Sequence, residues 1–494
     1  MQSLGIFIIA IIYVLVISVG IGIYMAKRRL GQSATSYYLA DKSLSPWVGG
    51  LTIALASMGS LHTVGMMESG GTQGLVTFWM TVAGAGSAAV TAAFYAPYYR
   101  KLGFNTVPEL FEKLFDSKSR FLSSILGIAL AFAVVSLETQ GGAIMLSAIT
   151  GIDVRVALVV FMLCAGAYVM IAGNWQAAYT NVINMIVSYI VLIVAFIIVT
   201  MKLPGGWKGV DSFYLNQGLS DVLSFWPKDL GLLIGFGVAL VVATCFCDAM
   251  DQGKIQYILG SRDVRGVRTS NFIAVIFLSF VGFFTVSFGL AAMSIPEFAA
   301  HGPKMAGVTM LLSYLPTFVA GILLAAFLVI VLSTWVRFNM SISHILVNDF
   351  YMVYSRKPDA EKQKLVPVLS RVFIIIPALA ALIPAFFMPH ILLTGIFAFS
   401  LVAPLFVLMP IGLFWKRNST AAFLTMVIST ITLILWQYTS LPAILSMPAW
   451  LSPAFASLFI SIIFGVVLTA ILPGEKGLFA KERKGAAVTV AENM

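Results

Sequence analysis

The chain has 494 residues, of which 60% are hydrophobic and 10% charged, with a formal net charge of +10 and a mean hydropathy of +0.98. A soluble domain carries roughly a quarter charged residues, so a water-soluble globular fold is excluded and most side chains must face lipid or other helices. The basic excess is confined to particular loops and does not mark a nucleic-acid binder. Cys164, Cys245 and Cys247 lie in apolar stretches that suit small buried hydrophobes, with no disulfide framework or metal spacing.

Apolar runs in chain order predict about thirteen helices, at 5–25, 47–75, 76–98, 121–150, 153–173, 178–201, 229–250, 271–294, 316–346, 370–389, 391–415, 420–439 and 453–473. Most are long enough to cross a hydrocarbon core of ~30 Å, so the expected fold class is an all-α integral membrane protein. Alternate loops differ sharply in basic content. The set containing Lys27, Lys101, Arg120, Lys254, Arg265, Arg356, Lys416 and Lys476 holds 24 of the 30 Lys and Arg residues, and the opposite set holds 5. The positive-inside rule then puts the N-terminus outside and the C-terminus in the cytoplasm of a multi-pass protein of the cell's inner (plasma) membrane. The first segment lacks a basic leader region and runs straight into Lys27-Arg28-Arg29, which reads as a retained anchor. No Pro-, Gly- or charge-rich linker divides the chain, so one membrane domain over 1–474 is expected, followed by a short disordered cytoplasmic tail over 475–494.

Three segments are too polar for bland lipid-facing helices. The first, 47–75, carries Ser57, Gly59, Ser60, His62, Thr63, Gly65, Glu68, Ser69, Gly70 and Gly71. Backbone leaves helical geometry at membrane depth only where protein or a wet cavity satisfies its polar groups, and Gly59 and the Gly70-Gly71 pair lower that cost. An unwound stretch here would offer carbonyls to a small hard cation, while the same small residues also suit a tightly packed helix. The second is Ser136-Leu137-Glu138-Thr139-Gln140. The third, 316–350, places Ser333 and Thr334 near the middle of its span. Their hydroxyls either bond back to carbonyls one turn earlier or complete an oxygen cage beside the break in the first segment. Two interrupted polar helices in a large bundle mark transporters built from inverted repeats.

Glu68, Glu138, Asp248 and Arg337 lie within spans, where ionisable groups default to function, pairing or a wet cavity. Asp248 and Asp251, near the cytoplasmic end of 229–250, read as interfacial. His62 either binds substrate or a proton, or is satisfied by a neighbour. No nucleophile–base constellation, cofactor motif or metal-binding spacing occurs, which argues against an enzyme.

The chain resembles the sodium:solute symporter family. Ser33-Ala34-Thr35-Ser36-Tyr37-Tyr38-Leu39-Ala40-Asp41-Lys42-Ser43-Leu44 is similar to the family's DYFLAGRSL stretch. Trp47 and the polar helix follow, then Thr106-Val107-Pro108-Glu109-Leu110 with Phe115-Asp116, Gly173, and Thr180-Asn181. A loop from Gln256-Tyr257 to Arg268, then Pro404 and Gly412-Leu413-Phe414-Trp415-Lys416-Arg417, complete the order. The resemblance implies the leucine-transporter-type fold, with discontinuous helices and inverted five-helix repeats at about 47–201 and 229–415. It implies a sodium site built from Ala56, Gly59, Ile330, Ser333 and Thr334, the last two through their hydroxyls. Some members hold a second sodium at positions matching Asn181, Val336 and Arg337. Without the carboxylate that site is expected to be lost, leaving one sodium per cycle. The family's substrate cavity makes Ser60, His62, Thr63, Glu68, Glu138 and Gln140 the cavity candidates. Glu138 either lines the cavity or pairs with Arg337, which is otherwise expected to tether helices through Asn181 or a carboxylate.

The expected function is sodium-coupled symport of a small organic solute, an organic acid or amino-acid-like, by alternating access. Solute, sodium ion and bilayer are the expected partners, with no nucleic acid and no obligate protein partner. Proton coupling through His62, Glu68 or Glu138 is one alternative. A transporter-like membrane sensor is another, although the tail carries no signalling module.

Overall fold

The computed structural model describes residues 2–27, 43–169, 173–261, 263–388 and 390–480. The stretch 33–42, Arg262, the 481–494 part of the tail and the Asp248 side chain therefore lie outside the described residues. Nine described helical runs are long and apolar enough to cross a membrane, and three shorter apolar helices, Leu4–Ile17, Val154–Tyr168 and Gly231–Phe246, fall on predicted spans. The longest run, Pro46–Tyr95, covers two predicted spans at once.

The elements that position the site, in chain order, begin with α1 (Gln2–Tyr13), α2 (Pro46–Ser60), α3 (Met66–Gln73), α4 (Trp79–Val90), α5 (Ser117–Thr150), α6 (Val154–Val169) and α7 (Gly173–Lys202). The second half comprises α8 (Ala239–Met250), α9 (Gln252–Gly260), α10 (Val264–Leu278), α11 (Val281–Met293), α12 (Pro303–Tyr314), α13 (Thr317–Ile345) and α14 (Asp359–Phe387). Last come α15 (Ile391–Ser400), α16 (Ala403–Phe414), α17 (Ser419–Tyr438) and α18 (Pro453–Ile471). Several starts are written in the sequence. Ser45, Asp116, Asp263 and Asn418 cap α2, α5, α10 and α17 by accepting from Val48, Ser119, Gly266 and Ala421 N–H groups. Pro46 takes the first helical position of α2, where a missing N–H costs nothing.

The central mast is α13, buried without interruption from Val329 to Ile345. It packs on α1, α2, α5, α7 and α14. Trp335 Nε1 donates to Thr139 Oγ1 of α5 at 3.1 Å, and Asn339 Nδ2 to the Ile374 carbonyl of α14 at 3.0 Å. The expectation of a second interrupted helix over 316–350 is corrected here: α13 is continuous. Thr334 reaches the Ala56 carbonyl without any need to break its own helix, because packing on the surrounding helices buries it beside another backbone.

The helix path does break at Gly59, whose φ of 51° and ψ of −162° no other residue adopts cheaply. The Gly70-Gly71 pair is helical and does not contribute a break; it lets α3 approach Val286, Gly289 and Met293 of α11 closely. A second break lies at Asp251, extended at φ −72° and ψ 113° between α8 and α9. Asp251 is therefore not interfacial. It is 1% exposed, caps α9 through Gly253 N–H at 2.8 Å, and lies 2.6 Å from Arg337 Nη1. Arg337 thus pairs with Asp251, neither with Glu138 nor through Asn181, because α9 turns back against α13 at Gly253. Lys254, Gln256 and Tyr257, expected in a loop, are buried in α9 for the same reason. The start of the tail is also ordered: Glu475–Lys476 pairs antiparallel with Lys416–Arg417.

Two outcomes follow for stability. Gly59→Ala should cost about 1–3 kcal/mol in thermal unfolding and more than Gly103→Ala, whose φ is also positive but whose Cβ would meet open space. Equal shifts would show that contacts at the break are unimportant. Replacing either Asp251 by Ala or Arg337 by Met should cost about 3–5 kcal/mol, with the double replacement recovering part of that loss in the same melting assay.

Candidate functional site

Breaking α2 at Gly59 frees backbone groups that hydrocarbon cannot satisfy, and side chains meet several of them. His62 Nδ1 lies 2.6 Å from the Met58 carbonyl, and Thr63 Oγ1 donates to the Gly59 carbonyl at 3.0 Å. Thr334 Oγ1, from α13, donates to the Ala56 carbonyl at 2.9 Å and reaches its own Ile330 carbonyl at 3.4 Å. On the other side of the break, Glu138 Oε2 of α5 accepts from both the N–H and the hydroxyl of Ser60 at 2.7 Å. Glu138 Oε1 and Ser333 Oγ are buried with no hydrogen-bond partner.

The structure therefore brings Ala56, Gly59, Ser60, Ile330 and Thr334 together with Glu138, with Ser333 next along α13. The other cavity candidates have different employment. Gln140 Nε2 donates to the Ala385 and Met388 carbonyls at 3.2 and 3.0 Å, closing the last turn of α14. Glu68 accepts from Ile391 N–H at 3.2 Å at the start of α15 and lies 3.1 Å from His390 Nδ1. Lys304 Nζ donates to the Met388 carbonyl at 3.0 Å, and burial lowers the pKa of its ammonium while nearby Glu68 opposes that shift. His62 and Thr63 serve the break itself. Val336 is buried, and Asn181 is buried with its amide nitrogen unpartnered.

A further polar cluster was not singled out as such from sequence. Arg120 binds Asp349 Oδ1 at 2.7 Å and Glu112 at 2.5 Å, and Thr106 Oγ1 donates to Asp349 at 2.9 Å. Gln252 Oε1, one residue past the second break, accepts from Val107 N–H at 2.7 Å. The available signal was the Asp251-Gln252-Gly253 run, in which an acid two residues before glycine can cap a new helix.

Comparison with known proteins agrees with this architecture. The sequence model of the sodium:solute symporter family matches residues 37–429. The sodium/glucose cotransporter of Vibrio parahaemolyticus is 24% identical over 531 residues, covering 99% of this chain and 93% of that protein. The sodium/pantothenate symporter of Haemophilus influenzae is 27% identical over 454 residues, covering 86% and 89% respectively. Among solved structures, a substrate-bound, outward-open Na+-coupled sialic acid symporter superposes with a TM-score of 0.80 at 18% identity, covering 96% of this chain and 99% of that one. The nucleobase-cation-symport-1 transporter Mhp1 superposes at 0.55 with 13% identity, covering 89% and 93%. The all-α membrane fold is that of these transporters, and the coupling ion of the family is sodium. With the match spanning most of its length, this chain belongs to the sodium:solute symporter family, whose members are transporters and not enzymes.

Proposed function

We propose that one sodium ion binds between the broken α2 and the continuous α13, held by the carbonyls of Ala56, Gly59 and Ile330 and the hydroxyls of Ser333 and Thr334. The observation that carries this reading is the Thr334 bond to the Ala56 carbonyl at 2.9 Å, with an unpartnered, buried Ser333 hydroxyl beside it. A bond between those two helices already exists there. An ion can replace the Thr334 proton by rotation of the hydroxyl, and Ser333 Oγ supplies a lone pair that nothing else uses. A cation bridging α2 and α13 favours whichever arrangement of the bundle brings their oxygens together. That differential affinity is what couples its gradient to solute movement.

One ion per cycle is supported by the charges around the remaining helices. Asn181 carries no formal charge, and Arg337 is committed to Asp251. The loop distribution of Lys and Arg supports an external N-terminus and a cytoplasmic C-terminus, in a protein we place in the cell's inner (plasma) membrane. The two breaks fall in the first helix of each proposed repeat, 47–201 and 229–415, which supports inverted repeats inside a membrane domain spanning 1–474 with about thirteen spans. The solute is a small organic molecule, an organic acid or amino-acid-like; the relatives' pantothenate and sialic acid, both carboxylic acids, support that class, while glucose is a neutral sugar.

In proteoliposomes, an inward sodium gradient should drive uptake of a member of a panel of labelled organic acids, amino acids and sugars. The Hill coefficient for sodium should be near one, as a single ligated ion requires, and a value well above one would contradict the single site. Ser333→Ala should raise half-saturating sodium roughly tenfold, the loss of one ligand to a charged group. Unchanged sodium dependence in that variant would remove Ser333 from the site.

A further inference from the structure

Among the described residues, three of the four buried acids lie against an arginine or a histidine. Asp251 has Arg337 at 2.6 Å, Asp349 has Arg120 at 2.7 Å, and Glu68 has the His390 ring at 3.1 Å. Glu138 is 0% exposed in the middle of α5, and among the described residues no Lys, Arg or His forms an ion pair with it. Both donors it receives are neutral, both come from Ser60, and both fall on Oε2. Its other oxygen, Oε1, is buried with no hydrogen-bond partner.

The direction of that oxygen matters. A Cβ built on Gly59 would lie 2.9 Å from Thr334 Oγ1 and nearer still to Glu138 Oε1. The two side-chain oxygens therefore converge on one point of the helix break, from α13 and from α5, and only glycine leaves that point open. A carboxylate inside a membrane protein without a counter-charge is expensive. The oxygen cage beside it is otherwise built from neutral carbonyls and hydroxyls, which offset only part of the cost of stripping water from a cation. Each deficit is what the other group can supply.

We propose that Glu138 Oε1 is a direct ligand of the coupling sodium, adding a formal negative charge to the neutral cage at the break. The inference rests on the sodium reading above and extends it to a third helix. The ion then ties α2, α13 and α5 together, and Ser60 acts as a positioning residue that fixes the carboxylate through Oε2. When sodium leaves, Glu138 keeps the two Ser60 donors on Oε2 while Oε1 has no hydrogen-bond partner, an arrangement that favours re-entry of a cation.

The test is binding of radiolabelled sodium to purified protein in lipid nanodiscs by scintillation proximity, which needs no knowledge of the solute. Glu138→Gln should raise half-saturation roughly tenfold or more, the loss of a charged ligand, and should weaken competition by Li+ more than competition by K+, because a carboxylate's strong field favours the smaller ion. A merely structural role would lower all three affinities together. Unchanged sodium affinity in Glu138→Gln, with affinity lost in Ser333→Ala, overturns this inference and leaves the sodium site standing. Unchanged affinity in both variants overturns the site as well. If Glu138→Gln does not yield folded protein, Glu138→Asp keeps the charge but draws the carboxylate back by one methylene, and wild-type affinity in that variant overturns the proposal.

Discussion

The structure turns on one unsatisfied turn of backbone. At Gly59 the chain abandons helical geometry inside a buried bundle, and the carbonyls of Ala56 and Gly59 and the N–H of Ser60 need other partners. Two of the side chains that meet the break, His62 and Thr63, are local and travel with it. The other two, Thr334 and Glu138, belong to α13 and α5. The break is thus fastened to two other helices by side chains, and those fastenings set where α2 can sit. Any movement of α2 against α13 exchanges the Thr334 bond for something else. In the proposed site an ion held by the same oxygens would make that exchange depend on sodium.

The second break solves the same problem with a permanent device. Between α8 and α9 an acid, Asp251, occupies the corner, caps the next helix and pairs with Arg337 of the mast. A guanidinium is a fixed charge, so this corner is held by an arginine of the chain itself, where the proposed first corner would be held by an ion. Around the two corners, the ends of the bundle are held by separate polar clusters. Arg120, Asp349 and Thr106 tie α5 to the segment after α13, while Glu68, His390 and Lys304 join α3, α12 and the start of α15. A transporter that opens alternately to two sides must loosen such clusters one at a time, and each of them is polar and hydrogen-bonded instead of a dry apolar seam.

Much of this was legible from residues alone. Apolar run length marked membrane helices, and the concentration of small and polar residues in 47–75 marked that stretch as one able to break, because only a protected backbone tolerates that composition at membrane depth. Glu138 stood out as an acid in the middle of a span. What composition did not reveal was which of several glycines bends the chain. Gly70 and Gly71 look as permissive as Gly59, yet they are spent on close approach to α11, a choice made by the partner helix and invisible in the local sequence. In the same way the hydroxyl-rich 316–350 resembles a second break but is a continuous helix, in which Thr334 serves a neighbour's backbone while Ser333 Oγ has no hydrogen-bond partner. Asp251 was read as interfacial because apolar residues stop near it. The chain turns back into the protein there, and α9 buries Lys254, Gln256 and Tyr257 without the hydrophobicity that normally announces burial.

The central claim is that a single sodium joins the break at Gly59 to the mast. Equilibrium dialysis of the purified protein against radiolabelled sodium, with the protein concentration fixed by amino-acid analysis, counts the bound ions directly. Saturation at one sodium per chain is the predicted result; two sodium ions per chain, or no saturable binding, would contradict it.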